Sequence, residues 1–395
     1  MDSKEKLLVI ILACVNFTHI MDFMIMMPLG PQFMSLFHIT PAQFGFAVSA
    51  YSIMAGISGF VSAFYVDRFD RKDVLMFAYA GFLVGTFACA LAPTYFFLVA
   101  ARMLAGLFGG MIGAQVLSIV GDTFGYERRA SAMGILMTSF SFASVIGVPT
   151  GLKLATVFSW HAPFLLVGIM GLFVWVLIWW RIPPITKHLE AGPIDRNPIH
   201  ILTNIFSSPK PRRALALTSV LMLGHMSVIP FITPALVGNA KFSLDHIFLI
   251  YLVGGACTIV SSPLVGKLAD KRGKYPIFVL FALLSLIPLW FITNLWPIPT
   301  WAILAIAAMF FVFANGRMIP IQAMVSNVVP PQQRGSFMSI NSSVQQLATG
   351  VAANLGGLVI IKHTDGYLEH YQWVGYFAIT LVLITLYLAH RVEKG

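Results

Sequence analysis

One short charged segment occurs twice in this sequence, at a spacing close to half the chain. The first copy covers 63–72 and the second 266–274, and each lies between two apolar runs. Their aspartates, Asp67 and Asp270, are 203 positions apart. Self-similarity at a fixed offset indicates internal duplication. The chain is therefore predicted to fold as two similar halves.

Three further pairs of residues support the duplication, because they occur in the same order in both halves. Their offsets lie between 205 and 213 positions, as expected when insertions accumulate after a duplication. Any one match is weak, but four in order are a strong indication. The pairs are His19 with His225, Arg129 with Arg334, and Trp160 with Trp373.

The composition places these halves in a membrane. Of the 395 residues, 58% are hydrophobic and 10% are charged, with a mean hydropathy of +0.84, whereas soluble domains carry about 25% charged residues. The net charge of +10 is explained by the basic inner loops of membrane proteins, so we expect no nucleic-acid partner. Cys14, Cys89 and Cys257 lie in apolar runs without metal-ligand spacing, so we expect no metal and no cofactor.

Twelve apolar runs are long enough to cross a bilayer. Each has at least about 19 residues, and about 20 helical residues span the hydrocarbon core. The sequence thus predicts an all-α membrane protein with 12 transmembrane helices in two pseudo-symmetric six-helix bundles. The runs are 7–34, 43–66, 74–92, 94–121, 130–152, 162–181, 213–237, 246–266, 275–295, 299–326, 336–361 and 372–390.

The distribution of basic residues predicts the orientation. With both termini in the cytoplasm, 20 of the 25 Lys and Arg residues fall on the inner side, and Lys153, Lys241 and Lys362 on the outer side, which satisfies the positive-inside rule. The chain starts without a signal cleavage site, so we interpret the first run as a span. We expect a multi-pass protein of the plasma (inner) membrane that contacts the lipid bilayer.

A polar, proline-rich segment separates the two halves. It covers 182–212 and contains six prolines with mixed charge, a composition typical of a linker. The predicted organisation is an N-terminal bundle over 1–181, a cytoplasmic linker over 182–212 with a short surface helix, and a C-terminal bundle over 213–395.

Asp22 is the only acidic residue deep in a predicted span. A charge at the bilayer centre costs about 2.5–3.5 kcal/mol on insertion scales, so such residues are usually functional. A carboxyl group removed from water binds a proton more readily, which predicts a site for a proton or a cationic substrate. Pro28 follows in the same run and would bend the span beside the acid. The alternative is a neutral Asp22 hydrogen-bonded to a neighbouring helix.

Two arginines also fall within predicted spans. Arg102 cannot lose its proton and needs an acid, carbonyl groups or water, so it is a candidate partner for Asp22; its alternative is to snorkel to the outer interface. Arg317, beside Asn315, has no deep acid in its own half. It is a candidate for binding an anionic group of a substrate, or for hydrogen bonds to polar residues of the next span, namely Asn341, Gln345 and Gln346.

His19 and His225 occupy equivalent places in spans 1 and 7. Imidazole titrates near pH 6.5, so the two are candidates for relaying protons from opposite walls of a central cavity. A histidine hydrogen-bonded between helices is an equal alternative.

Span 5 contains Gly147, Pro149 and Gly151 within five residues. Proline permits a kink, and glycine lets a neighbouring helix approach closely. We predict a kinked span 5, with simple tight packing as the alternative explanation of the motif.

The repeated segment resembles the loop motif of the major facilitator superfamily, and the resemblance covers essentially the whole chain. The family's loop after span 2 reads Gly-x-x-x-Asp-Arg/Lys-x-Gly-Arg/Lys-Arg/Lys. The copy at 266–274 fits this pattern. The copy at 63–72 has Ala63 in place of the first Gly and Asp70 in place of the second.

Two further motifs are similar to the family's branch of drug/proton antiporters and sugar-efflux transporters. One is the Gly-x-Pro-x-Gly sequence over 147–151. The other is Arg102 followed by a glycine-rich helix, in which Ala105 stands where the branch has Gln. Span 1 also resembles the branch between Asp22 and Pro28.

The resemblance implies a gating function for the repeated loop. Asp67 would face the N-terminus of span 11 in the other half when the cytoplasmic side closes, where the helix dipole favours an acid by about 0.3–1 kcal/mol. Arg71 and Asp122 would complete a charge network. The alternative is a turn that only retains positive charge inside. The other charged residues of the two loop copies are Arg68, Lys72, Lys271 and Lys274.

These observations predict a secondary active transporter that exports a small organic or amphipathic compound in exchange for protons, by alternating access. The sequence has no Gly-x-x-x-x-Gly-Lys-Ser/Thr loop, which argues against ATP as the energy source. We expect a monomer that is not an enzyme, with a small-molecule substrate and protons as partners. One alternative is an importer or uniporter of a small organic anion that uses Arg102 and Arg317; a remote one is a membrane-embedded enzyme or sensor.

Overall fold

A computed structural model describes residues 3–62, 64–124, 126–186, 207–329 and 334–394. These residues are mainly helical, as the long apolar runs predict. A 3₁₀ turn at Val66–Arg68 precedes α4, and a π-helical turn at Ala143–Gly147 joins α6 to α7. The helices before the linker are α1 Ser3–Ile25, α2 Gly30–Leu36, α3 Pro41–Ser62, α4 Arg71–Ala90, α5 Tyr95–Thr123, α6 Tyr126–Phe142, α7 Val148–Val157 and α8 His161–Arg181.

The helices after the linker are longer on average than those before it. This part of the chain also contains a small β-hairpin. A 3₁₀ turn at Leu244–His246 precedes α10. The antiparallel strands β1 Ile361–Lys362 and β2 Leu368–Glu369 pair between the last two helices. The sequence analysis missed this hairpin and extended span 11 to position 361. The helices are α9 Pro209–Gly238, α10 Ile247–Arg272, α11 Lys274–Thr293, α12 Thr300–Ser326, α13 Arg334–Val359 and α14 Tyr371–Lys394.

Eleven helical segments in the described part of the chain are long and apolar enough to cross a membrane. The remaining predicted span, span 11 over 336–361, corresponds to α13, whose 26 residues extend about 39 Å at 1.5 Å per residue. It is more polar than the other eleven, since it carries four amide side chains. The helix is thus as predicted, but its apolar character was overestimated. The amides are Asn341, Gln345, Gln346 and Asn354.

The first predicted span, 7–34, is two helices rather than one. Helix α1 ends at Ile25, and α2 begins at Gly30. Pro28 lies between them; it has no N–H to donate and disfavours helical geometry in the residue before it. In the other half, α9 continues through two internal prolines, Pro230 and Pro234.

The two copies of the charged segment have different structures, which corrects the expectation of two equivalent loops. In the first copy, a 3₁₀ turn leads to Asp70, the N-cap of α4. In the second copy, α10 continues past Asp270 to Arg272, and only Gly273 separates it from α11. Gly273 has a φ of +93°, a conformation that glycine adopts readily.

The chain divides into two compact units. The first comprises Met1–Ile25 with Ala50–Ile201, and the second Met26–Ser49 with Leu202–Gly395. In the second unit the first half of α3 packs closely on α13, because a Cβ atom on Gly45 would meet the carbonyl oxygen of Ala353.

The predicted domain boundaries 1–181, 182–212 and 213–395 follow the sequence repeat rather than these contacts, and they stay a prediction. Residues 187–206, where the surface helix of the linker is expected, lie outside the described residues.

Asn239, just after α9, binds the hairpin to the end of that helix. Its amide nitrogen donates to the carbonyl of Leu368 at 3.0 Å, and its amide oxygen accepts from the N–H of the same residue at 2.7 Å. On the hairpin itself, His363 Nε2 lies 2.8 Å from Glu369 Oε2, and this hydrogen bond lowers the pKa of Glu369.

We expect Asn239→Ala to destabilise the hairpin, because both buried backbone groups of Leu368 lose their partner. One unsatisfied buried group costs about 1–3 kcal/mol. The readouts are a lower thermal unfolding midpoint and faster hydrogen exchange at the Leu368 amide. Asn294→Ala, which removes an Asn bonded at the exposed end of α11, is the control. Equal effects of the two substitutions would contradict the assignment.

Candidate functional site

Glycines bring α3 and α5 into backbone contact and so place Arg102. A Cβ atom on Gly106 would collide with the carbonyl of Tyr51, and one on Gly110 with the carbonyl of Ala55. Small residues at four-residue spacing are typical of closely packed membrane helices. Arg102 lies one helical turn before Gly106, and its side chain enters the interior of the first unit.

Arg102 and Asp22 form a buried ion pair in the first unit. Nη1 of Arg102 lies 2.6 Å from Oδ2 of Asp22, and the two side chains are 1% and 0% exposed. The hydroxyl of Thr86 donates to Oδ1 of Asp22 at 3.1 Å. The guanidinium carbon lies 4.4 Å from the ring centroid of Tyr51, a cation–π contact. Of the predicted alternatives, the structure shows the pair rather than snorkelling.

Buried polar atoms without partners lie at this pair. Within the described residues they include Arg102 Nε, Tyr51 Oη and His19 Nε2. Gln115 Oε1 also has no partner, but it lies about 20 Å further along α5. A Cβ atom on Gly109 would lie 3.0 Å from His19 Nε2 and would collide with the hydroxyl of Tyr51, so only glycine fits there. A buried polar group without a partner costs about 1–3 kcal/mol, and such groups are available to a polar ligand.

The predicted kink in span 5 is the π-helical turn before α7, and Pro149 lies in the first turn of that helix. Gly147 and Gly151 face α1: a Cβ atom on Gly151 would lie 2.7 Å from Cδ1 of Ile25. The motif is therefore associated with both predicted features, an irregular helix and close packing against α1. The packing supports α1 one turn after Asp22.

Arg317 is the buried charge of the second unit, with 2% of its surface exposed. Nη1 donates to Oγ of Ser285 at 3.2 Å, and Nη2 lies 3.3 Å from Nδ1 of His225. Since guanidinium nitrogens only donate, Nδ1 accepts and the imidazole carries its proton on Nε2. The His225 ring stacks on Phe310, with centroids 6.1 Å apart.

Of the two alternatives for Arg317, the structure does not show the hydrogen bonds to Asn341, Gln345 and Gln346, because its described bonds go to α9 and α11; the binding of an anionic group stays a prediction. Asn341 accepts from Thr218 at 2.8 Å. Asn315 donates to Ser262 at 2.7 Å.

The two histidines have different surroundings. His19 packs edge-on against Phe82, with centroids 5.7 Å apart, and His225 binds Arg317. Their placement on opposite walls of a cavity stays a prediction.

Arg71 of the first loop copy makes the expected contact with Asp122 at the end of α5. Its Nε lies 2.9 Å from Oδ2 of Asp122. Asp70 has a function that the sequence analysis missed: its Oδ1 accepts from the backbone N–H groups of Lys72 at 2.8 Å and Ile185 at 3.0 Å. The acid therefore caps α4 and fixes the chain that leaves α8.

The other described side chains of the two loop copies do not come together in one site. Lys72 Nζ donates to the carbonyl of Trp179 at 3.0 Å. The side chain of Asp67 lies outside what the structure describes. The side chains of Arg68, Asp270 and Lys271 are exposed, and that of Lys274 is half-buried.

A bundle of long apolar helices with charges buried inside defines an integral, multi-pass membrane protein. The family model of the Major Facilitator Superfamily matches residues 12–353 and 214–394. The chain therefore belongs to the Major Facilitator Superfamily, a family of membrane transporters.

Relatives extend this similarity over most of the chain. The uncharacterised MFS-type transporter YceJ of Bacillus subtilis is 24% identical over 376 residues, which cover 94% of this chain and 93% of the relative. A probable sugar efflux transporter of Helicobacter pylori strain G27 is 22% identical over 351 residues, 89% of this chain and 86% of the relative.

Solved structures share the fold. The D-xylose-proton symporter matches with a TM-score of 0.78 and 16% identity, covering 97% of both chains. A bacterial homologue of the human lysosomal transporter Spinster, in an inward-facing and unoccupied conformation, matches with a TM-score of 0.76 and 14% identity, covering 100% of this chain and 98% of that one.

The ion pair predicts an asymmetric response to substitution. Asp22→Leu leaves Arg102 as a buried charge without a counter-ion, which costs about 3–5 kcal/mol. Arg102→Met should cost less, because the Asp22 carboxylate can be neutralised by a proton. The double variant should regain stability relative to Asp22→Leu.

These stabilities are measured by equilibrium unfolding in detergent. The control is Arg181→Met at the exposed end of α8, for which a change within about 0.5 kcal/mol is expected. An Asp22→Leu variant no less stable than this control would contradict the pair.

Proposed function

We propose that this transporter exports a small organic or amphipathic compound in exchange for protons, with the Asp22–Arg102 pair as its coupling site. The observation that carries the proposal is the pair itself, 2.6 Å apart and almost completely buried. A proton and the guanidinium compete for one carboxylate, so binding of the proton releases Arg102. Two protonation states thus favour two arrangements of the helices that hold the pair.

The energies are sufficient for this mechanism. Leaving one partner of a buried pair alone costs about 3–5 kcal/mol, and each tenfold change in an equilibrium corresponds to about 1.4 kcal/mol. Proton entry supplies about 2.3 kcal/mol per 100 mV and about 1.36 kcal/mol per pH unit. One proton can therefore shift the equilibrium between two conformations by orders of magnitude.

The names of similar proteins support the direction and the coupling ion. Efflux is the activity in the name of the Helicobacter pylori relative, and protons appear in the name of the xylose symporter. Both names also refer to sugars. A polyol or sugar is therefore the second candidate substrate, and the unpartnered polar atoms beside the pair, such as Tyr51 Oη and His19 Nε2, suit its hydroxyl groups.

The topology and the gate complete the proposal. We place both termini and the Arg71–Asp122 pair on the cytoplasmic side of the plasma membrane, because the basic residues concentrate there. Asp67 would stabilise the closed cytoplasmic gate by facing the N-terminus of a helix. The transporter would act as a monomer.

Asp22→Asn should abolish proton flux while the protein still inserts and folds, because the amide keeps the shape of the side chain and cannot release a proton. The measurement is the fluorescence of a pH-sensitive dye inside proteoliposomes as a panel of sugars and amphipathic compounds is added.

Asp122→Asn, which alters the other acid paired with an arginine, is the control and should retain proton coupling. Substrate-driven proton flux of wild-type size in the Asp22→Asn variant would refute the coupling site.

A further inference from the structure

Among the described residues of the second unit, no counter-charge lies at Arg317. Its hydrogen bonds go to a hydroxyl and to an imidazole nitrogen that acts as an acceptor, and both groups are neutral. Its Nε has no partner among the described residues. A buried cation of this kind is costly unless an anion compensates it.

The acids of the second unit lie away from Arg317. All of those that the structure describes are at helix ends, in the turn before α10, or in the hairpin, and all are exposed or half-exposed. None forms an ion pair with Arg317 in the described structure. They are Asp245, Asp270, Asp365, Glu369 and Glu393.

The first unit shows how the same chemistry is completed. There α1, α4 and α5 provide Asp22, a hydroxyl and Arg102. In the second unit the corresponding helices α9, α11 and α12 provide His225, a hydroxyl and Arg317. Arg102 is the eighth residue of its helix and Arg317 the eighteenth, so the two sites lie at different depths. What the second site lacks is the carboxylate.

We propose that Arg317, Ser285 and His225 form a binding site for an anion: a carboxylate or phosphate group of the transported compound, or a free small anion. The proposal rests on the transport function above and names the charge of its cargo. The guanidinium fork binds such oxygens in pairs, and the free Nε–H supplies one of the two donors. Ser285 holds the guanidinium in place: its oxygen accepts from Nη1, while its own proton is donated to the carbonyl of Ala282 at 2.7 Å.

The burial of the site fits a transporter. With 2% of Arg317 exposed, an anion reaches it only through a conformational change, which alternating access provides. A cationic compound is disfavoured at this position, because it would lie beside a positive charge that has no compensation. The amphipathic cargo of the proposed function is therefore anionic.

The test restores the missing carboxylate. In His225→Asp, a carboxylate oxygen bonded to Cγ replaces Nδ1, which is likewise bonded to Cγ and lies 3.3 Å from Nη2 of Arg317. This internal acid competes with an external anion. His225→Asn has the same shape without the charge and is the matched control.

The measurement is thermal unfolding of the purified full chain in detergent. Chloride, phosphate and acetate are titrated separately at constant ionic strength, with a bulky sulfonate as the balancing anion. Wild type should be stabilised in a saturable manner by at least one of them, and His225→Asn, which removes the imidazole without adding a charge, gives the reference affinity for the comparison with His225→Asp. His225→Asp should bind at least about tenfold more weakly, which matches the strength of a hydrogen bond between charged groups.

The outcomes distinguish the two sources of the anion. Saturation by chloride alone identifies a site for a small inorganic ion, whereas saturation by acetate or phosphate identifies a site that accepts the oxygens of a carboxylate or phosphate group, as an anionic cargo requires. Equal anion affinity in His225→Asp and His225→Asn, or no saturable stabilisation of wild type, would overturn the proposal.

A second variant covers the case in which His225→Asp does not fold, and the conditions of the measurement separate anion binding from proton coupling. If His225→Asp fails to fold, Arg317→Gln replaces it and should lose anion binding, and retained binding would overturn the proposal. Binding is measured without a proton gradient, so its detection does not depend on proton coupling. Failure here therefore leaves the proton-coupling proposal standing, and failure of proton coupling leaves this one.

Discussion

The ion pair between Asp22 and Arg102 is the interaction on which the first unit depends. Two opposite charges with almost no exposure to solvent stabilise the fold only while both are present. Neighbouring residues hold the two charges in place. Gly106 lets α5 approach α3, Thr86 satisfies the second carboxylate oxygen, and Tyr51 covers the guanidinium. In our proposal, a proton that binds Asp22 would disturb all of these contacts together, and one proton would in this way have a conformational effect.

The two units differ in how the charge of their buried arginine is compensated. The first unit compensates its buried arginine with its own acid, whereas the second leaves Arg317 beside a hydroxyl and an imidazole. Both halves have an arginine within their fourth span, at different depths of the helix. His225 gives Arg317 a neutral contact, where an acid would compensate its charge. In our account the first unit responds to protons and the second to an anion.

Much of the fold follows from the sequence, because long apolar runs and Lys/Arg-rich loops are direct consequences of the bilayer. The Asp22–Arg102 pair was predictable because each charge needed a partner. Thr86 and Ser285 were not, since hydroxyl side chains occur in many spans and nothing in the sequence says which one faces a charge. The cap at Asp70 was hidden for a related reason. The family pattern has Gly there, and only the structure shows the backbone N–H groups that the acid binds.

Infrared difference spectroscopy of the purified transporter tests the competition between a proton and Arg102 most directly, because protonated and ionised carboxyl groups absorb separately. Lowering the pH also protonates the exposed acids, so the assignment rests on the difference between variants. Our account predicts a protonated carboxyl band that is present in wild type and in Asp122→Asn, is missing in Asp22→Asn, and changes in Arg102→Met because the guanidinium no longer binds the carboxylate. A wild-type band retained in Asp22→Asn, or a band in Arg102→Met identical to that of wild type, would contradict the account.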